Sequence, residues 1–533
     1  MMNTPLTTRH LFDYGTTYFR SQGIVSRQAS GATRTTFGEI GDRVRRLASG
    51  LRALGVRQGD RVGTVMWNDQ AHLESYFAIP CMGAVLHTIN FRMTSEHLSH
   101  VINHAGDRVL IVDRSLWPQI AAIRETLKTV TAILLTGPAP GSDPDRTLDY
   151  ETLIAESSPE FAFPDLDEDS PMGLCYTSAT TGPPKGVLYS HRALYLHSMT
   201  LGLANTLGLS ADDTLLPIVP MFHVNAWGLP FAAFWLGAKI VLPGPSPHPE
   251  DLLDLLQREK VTLAAGVPTV WLGLARELMK RPTPLNLRLA VSGGSAVPQS
   301  LIRLYEETLG IPFLHAYGMT ETSPLVTVAR LRPHHRELSY DEQLTIKASQ
   351  GIPVPGLTFR LERDGQEVSW TGNDAGEICL KGPWIADGYY RDQGSSTPVR
   401  DGWFHTGDVA TVTAEGYVHL LDRTTDLIKS GGEWISSVDL ENALMAHPAV
   451  FEAAVVGVPH PVWDERPLAF VVLKDGCEVS KEELFASLAP RYARWQWPDD
   501  ILFVPEVPKS SVGKFLKRAL REQYRTYFTN PRE

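Results

Sequence analysis

Positions 176–187, YTSATTGPPKGV, gather three threonines, a serine, two prolines, two glycines and a lysine in twelve residues. The prolines and glycines keep such a stretch out of a helix. Its backbone N–H groups and the hydroxyls of Thr177, Ser178, Thr180 and Thr181, freed by Gly182, can donate to the oxygens of an anion. Lys185 adds a point charge, so the chemistry suggested is a grip on phosphate. A solvated Ser/Thr loop is the alternative that the stretch alone leaves open. It is not a Walker A loop, because Gly186 follows Lys185 where Ser or Thr would be required. Ala179 stands where a phosphate cradle more naturally carries glycine.

Further stretches offer chemistry that fits beside it. In AYGMTETSP (316–324), Tyr317 presents a flat face to a purine and Glu321 is a hard oxygen ligand suited to Mg2+ between phosphates. A buried tyrosine and a surface glutamate are the plainer reading. The paired glycines of SGGSAVP (292–298) permit close approach of backbone to a ligand. GWFHTGD (402–408) ends on Asp408, whose carboxylate can accept two hydrogen bonds from a cis-diol. PKSSVGKFLKR (508–518) sets Lys514 between Gly513 and Phe515. VPMFHVNAWGLPF (219–231) carries His223 and Trp227 in an apolar run, and GVPTVW (266–271), starting at Gly266, is expected to line the same pocket.

These residues must be placed by elements that the hydrophobic pattern outlines. Ile40, Val44, Leu47, Leu51 and Leu54 fall at steps of four and three, predicting an amphipathic helix. Strands are predicted at 60–68 and 108–113, the second after a helical stretch at 95–106. The pattern returns as helix 249–260, strand 261–268 and strand 286–294. Such alternation predicts an α/β fold: a large N-terminal domain of several subdomains, with parallel sheets flanked by helices and ligands at the carboxyl ends of strands. The phosphate loop is read as linking a strand to a helix or to a second strand. From about residue 427 a small α+β domain is predicted, with a helix at 438–446, two strands, and a helix opened by a Ser480/Glu483 capping box. LDRTTDLIKSGGEW (421–434), polar and then glycine-rich, is where a hinge is expected.

Composition bounds the possible functions. The chain has 533 residues, enough for two or more domains. A net charge of −11 and a pI of about 5.9 argue against a nucleic-acid or anionic-membrane partner. Mean hydropathy is −0.12, and the most apolar stretch, 229–244, is broken by Lys239 and too short to span a bilayer. Cys81, Cys175, Cys379 and Cys477 form no CxxC pair, so reduced thiols are expected. The N-terminus lacks the apolar core of a signal peptide and the C-terminal NPRE is no targeting signal, which together predict a cytoplasmic enzyme.

The loop at 176–187 resembles the phosphate-binding signature of the adenylate-forming superfamily, which includes acyl-CoA synthetases, luciferases and peptide-synthetase adenylation domains. Every fixed position is met except Ala179. The segments around Glu321, Asp408 and Lys514 resemble further signatures in the family's order, and the resemblance spans 35–40 to the lysine motif. KSGGEWISS (429–437) and GVPHPVWDERPLAFVVL (457–473) are similar to the fatty-acyl-CoA synthetase branch. The resemblance implies an ATP-dependent acid–CoA ligase, most simply for a medium-chain fatty acid. A carboxylate would attack the α-phosphate of ATP to give acyl-AMP and pyrophosphate, and coenzyme A would then take the acyl group.

Site roles follow from the same resemblance. Thr177, Ser178, Thr180, Thr181, Gly182 and Lys185 would hold phosphates, and Glu321 with Thr177 would hold Mg2+. Gly294, Ser295, Tyr317, Gly318, Asp408 and Arg423 would hold adenine and ribose. His223, Trp227 and Gly266 would form the acyl pocket, with Trp227 as its gate. Lys514 would neutralise charge at the carboxylate and α-phosphate, with Glu321 and Thr320 completing the catalytic set. Domains at 1–423 and 427–533 would turn about a hinge at 424–426, removing Lys514 and presenting Lys429, Gly431, Gly432, Glu433 and Trp434 for the thioester step. The hinge position, Thr425, lacks the usual Asp or Lys. The acid could instead be short or aromatic, and the acceptor an amine or a carrier-protein thiol. No transmembrane segment is expected, the partners are small molecules, and a homodimer is left open. A nucleotide-binding protein without catalysis is the reading least in keeping with the presence of Lys514, Glu321, Asp408 and Arg423.

Overall fold

The computed structural model describes residues 1–28, 31–138, 147–177, 183–392, 398–424, 426–431, 433–474, 476–509 and 515–529. Ser178, Ala179, Thr180, Thr181, Gly182, Thr425, Gly432 and Lys514 lie outside the described residues.

The predicted α/β alternation is present. One sheet runs, in spatial order, 352–353, 325–328, 313–318, 289–292, 263–266, 214–217, 239–242, 23–28 and 31–36. A second runs 148–149, 132–136, 107–113, 61–65, 85–88, 171–176 and 186–190. Most pairs in both are parallel; those of 325–328 with its two neighbours, 23–28 with 31–36, and 171–176 with 186–190 are antiparallel. Successive residues of their strands face opposite ways, and this sets three apolar layers. Leu215, Leu263, Val109 and Ile111 enter a core shared by the two sheets, with the helices Thr8–Tyr18, Phe37–Ala53, Gln70–Cys81 and Leu229–Leu236 between them. Leu216 and Ala264 face an outer layer with the helices Pro249–Arg258 and Pro268–Lys280. Leu110 and Val112 face the helices Ser95–Ala105 and Trp117–Ile123. Burying the inner strands on both faces explains why they read as unbroken apolar runs, while the edge strand 31–36 is largely exposed and polar.

Local signals explain where elements begin. Thr36 accepts from Glu39 N–H while Glu39 caps the Thr36 N–H, so the helix Phe37–Ala53 starts on a capping box and buries Ile40, Val44, Leu47 and Leu51. Leu54, which the helical pattern also includes, sits at the C-cap, just past the helix.

A third sheet was not foreseen. Strands 358–363, 366–368, 376–381, 399–400, 403–412 and 418–423 form an antiparallel unit. Its first hairpin turns at Asp364–Gly365, both at positive φ (54° and 78°), the two-residue turn that matches strand twist.

The small C-terminal domain orders its strands 433–435, 428–430, 464–473 and 450–460, with 500–503 added in parallel to 464–473. Helices Ser437–Met445 and Lys481–Leu488 cover one face and Lys517–Gln523 the other. The predicted Ser480/Glu483 capping box is present. No described helix is long and apolar enough to cross a membrane.

Candidate active site

The phosphate loop joins strand Pro171–Tyr176 to strand Gly186–Ser190, antiparallel neighbours, so it closes a hairpin. Its ends are tied: Thr177 N–H donates to Lys185 O (2.9 Å) and Lys185 N–H to Thr177 Oγ1 (3.3 Å). This neck fixes where the loop and the Lys185 ammonium emerge. The ammonium lies 4.6 Å from the ring centroid of Tyr389, a cation–π distance.

Tyr389 also reaches the second predicted segment. Its hydroxyl donates to Glu321 Oε1 (2.8 Å), so one phenol holds the loop lysine and the carboxylate together. Glu321 sits on the 3-10 turn Thr320–Thr322 at the end of strand Phe313–Gly318 and is 6% exposed. Among the described residues its Oε2 receives no hydrogen bond, which leaves a hard oxygen for a cation. Thr320 O accepts from Tyr189 OH (2.8 Å), fastening the turn to the strand that leaves the phosphate loop. Gly318 is required for packing: a Cβ there would lie 1.9 Å from Pro324 O. Tyr389 and Tyr189 were missed by sequence reasoning; the Gly-Tyr-Tyr run at 388–390 was the only available signal.

The ribose candidates meet through sheet register. Asp408 and Arg423 are cross-strand partners, and Arg423 Nε lies 3.3 Å from Asp408 Oδ1. Tyr317 OH donates to Asp408 Oδ2 at 2.6 Å. Burial first, and the Asp408 charge second, push the Tyr317 phenol well above its usual range, so it stays a donor. Gly293 and Gly294 end strand Leu289–Ser292 beside this group. A Cβ at Gly293 would come within 2.6 Å of Ala316 O, and Gly294 is at φ +81°, so both positions favour glycine. Ser295 follows, exposed.

On the acyl side, Val224, Asn225, Ala226 and Trp227 take φ of 46°, 51°, 48° and 58°, and Gly228 continues at 71°. This is a left-handed helical turn of four chiral residues, at about 1–2 kcal/mol each. Turn hydrogen bonds run from Ala226 N–H to His223 O and from Gly228 N–H to Asn225 O. The buried Asn225 accepts at Oδ1 from Thr88 Oγ1 (3.3 Å) and from the Cys175 thiol (3.5 Å). Burial pushes that thiol up to about 11, keeping its proton for the bond. The turn sets Trp227 so that its Cη2 lies 3.4 Å from where a Gly293 Cβ would be, joining the gate candidate to the adenine candidates. His223, half-buried, precedes the turn as its N-cap. Gly266 ends strand Leu263–Gly266, and Val267 faces Gly294 across the same gap. Trp271 corrects the expectation for 266–271: it is fully buried in the outer layer against Tyr305 and Phe313, its Nε1–H donating to Gly266 O and Val291 O. Its place on a helix turns it away from the ligand side.

In the small domain, Lys429 is exposed and its N–H donates to Glu465 Oε2, while Gly431 N–H donates to Trp463 O. Glu433 and Trp434 lie in strand Glu433–Ile435. A His334–His335–Glu415 cluster stands elsewhere. There Arg332 N–H donates to His335 Nδ1, which puts the proton on Nε2 as a donor to Glu415 and opposes metal ligation.

The comparisons with known proteins agree with this geometry. The profile of the AMP-binding enzyme family matches residues 20–390, and that of the AMP-binding enzyme C-terminal domain matches 439–514. A long-chain-fatty-acid–CoA ligase of Thermus thermophilus is 48% identical over 99% of this chain and 97% of its own. A medium-chain-fatty-acid–CoA ligase of Ectopseudomonas oleovorans is 43% identical, covering 98% and 97%. A 3-methylmercaptopropionyl-CoA ligase of Ruegeria lacuscaerulensis is 44% identical, covering 99% of each. Among solved structures, the anthranilate CoA ligase AuaEII in complex with anthranoyl-AMP superposes with a TM-score of 0.89 at 26% identity, covering 99% of both chains. The tyrosine-linked pairing of Lys185 with Glu321, the Asp408–Arg423 pair and the full-length match together place this chain in the AMP-binding enzyme family, as an ATP-dependent acid–CoA ligase of the adenylate-forming superfamily.

Proposed function

We propose that the protein activates a medium-chain fatty acid as acyl-AMP and passes the acyl group to coenzyme A. The observation that carries the reading is the junction of Lys185, Tyr389 and Glu321, which puts a cation and a free carboxylate oxygen on either side of one phenol. Lys185 and the loop would hold the β- and γ-phosphates, and Glu321 with Thr177 would hold Mg2+, which neutralises phosphate charge when bound. Asp408 accepts the ribose hydroxyls, kept in place by Arg423 and Tyr317. The nucleophile is ionised at neutral pH, so no general base is needed, and catalysis is positioning plus charge neutralisation. Lys514 supplies the charge at the α-phosphate, and the small domain then turns about 424–426 to bring the 429–434 segment to the acyl-adenylate.

The fatty-acid assignment is supported by the two fatty-acid–CoA ligases at 48% and 43% identity and by Trp227, a large apolar side chain held at the adenine edge. Four unpaired thiols support a cytoplasmic setting, checked by fractionation. A homodimer is the proposed assembly, checked by light scattering. The central experiment is pyrophosphate release against acids from C2 to C16 and aromatic acids, with and without coenzyme A. A maximum at medium chain length with acyl-CoA as product is expected. Best turnover with a short or aromatic acid, or release without thioester, would overturn the assignment.

A further inference from the structure

The segment that carries Lys514 is fastened at both ends. Leu516 N–H donates to Pro508 O (2.8 Å), and Lys509 pairs with Phe515 as an antiparallel bridge, so the chain leaves and re-enters through a closed neck. On the entering side Lys509 Nζ lies 2.5 Å from Glu452 Oε1. On the leaving side Lys517, its side chain only 11% exposed, places Nζ 2.8 Å from Glu441 Oε1 and donates to Ser437 Oγ. Ser437 donates in turn, by its hydroxyl and by its N–H (3.0 Å), to Asp422 Oδ2. One helical turn beyond Lys517, Arg521 pairs with Asp426. Lys517 and Arg521 share a face of helix Lys517–Gln523, and Asp422, which Lys517 reaches through Ser437, and Asp426 are likewise four residues apart in sequence, on either side of position 425.

Asp422 immediately precedes Arg423, the ribose candidate, on the last strand of the large domain. The chain Asp422–Ser437–Lys517 therefore spans the hinge and ends three residues from Lys514. Breaking one partner of a buried ion pair is costly, while the intact pair adds little net stability, so such a chain is better suited to fixing a geometry than to holding the fold.

We propose that Lys517 is a positioning residue for adenylation: it registers the chain that carries Lys514 against the strand that carries Arg423, through Ser437–Asp422. The inference rests on the reading that Lys514 acts in adenylation. Turning the small domain about 424–426 would part Asp422 from Ser437 but leave Asp426 with Arg521. The first tie thus belongs to one domain orientation, and the second travels with the small domain.

The test uses the full-length enzyme and two assays, acid-dependent pyrophosphate release and acyl-CoA formation from supplied acyl-adenylate. Ser437→Ala and Lys517→Met are expected to lower kcat for adenylation by about tenfold to a hundredfold, the scale of a ~1 Å misplacement, with KM for ATP and thioester formation unchanged. Lys517→Arg is expected to restore most of the rate, and Arg521→Gln, whose tie to Asp426 travels with the small domain, to leave both assays unchanged. If Lys517→Met does not fold, Lys517→Met with Glu441→Gln removes the orphaned charge and gives the same readout. For Ser437→Ala and Lys517→Met, equal loss in both assays, or no loss in either, overturns the positioning role. Lys514→Ala separates the two ideas. If it cripples adenylation while the other variants do not, the positioning role alone falls; if it spares adenylation, the role of Lys514 falls and takes the positioning role with it.

Discussion

The proposed nucleotide side and the proposed acyl side of this site are built by opposite means. On the nucleotide side, relaxed strands and sheet register bring charged groups into contact: Asp408 opposite Arg423, Tyr317 onto Asp408, Tyr389 between Lys185 and Glu321. On the acyl side the backbone itself is strained, and Trp227 is held by four chiral residues in a left-handed turn that Asn225 anchors to Thr88 and Cys175. Polar recognition of a fixed group, a nucleotide, tolerates rigid register. An apolar pocket offers few directional bonds, so the position of its gate is set by backbone conformation instead.

Substitutions can break this division or sharpen it. The largest effect is expected for Glu321→Gln, which should lower acid-dependent pyrophosphate release by about 10²–10³-fold, the scale of one lost electrostatic contact at developing charge. The loss should be the same for every acid; a loss that varied with chain length would join the two sides. Asp408→Asn should raise KM for ATP by about 10–100-fold, since a hydrogen bond to a charged group is worth about 1.5–3 kcal/mol. The ranking of acids, read from kcat/KM across the C2–C16 series, should be unchanged. Trp227→Ala should do the reverse, shifting relative kcat/KM between neighbouring chain lengths by about tenfold, as a methylene in an apolar pocket is worth about 1–3 kcal/mol. An altered KM for ATP in that variant would contradict the division. Tyr317→Phe removes one neutral donor from Asp408 and should raise KM for ATP by about two- to fivefold, for a bond worth about 0.5–1 kcal/mol.

The same contrast decides what could be read from the chain beforehand. Lys185, Glu321, Asp408 and Arg423 stand in motifs whose spacing survives into sequence, and the described structure brings them together in two groups. The groups' connecting tyrosines, Tyr389 and Tyr189, were not legible because nothing in a linear pattern says that strand 186–190 and the 388–390 run meet the turn at Glu321. The antiparallel sheet of 358–423 was legible in part, since Asp364–Gly365 is a hairpin turn signal between two short strands. The left-handed turn was not: of Val, Asn, Ala and Trp only Asn is enriched at positive φ, and the anchoring of Asn225 to Thr88 and Cys175 is a long-range contact that a linear pattern does not state. Trp271, five residues past Gly266, looked like pocket lining because an apolar run does not state which way a helix turns.

That turn also inverts the usual reading of mutational tolerance. At Trp227, φ 58° and only partly buried, glycine would relieve backbone strain, so a library ranked by thermal stability alone would favour it there and discard the indole, whereas at Asn225 glycine would also break the anchor to Thr88 and Cys175. Selection for robustness and selection for acid discrimination therefore pull this short segment in opposite directions.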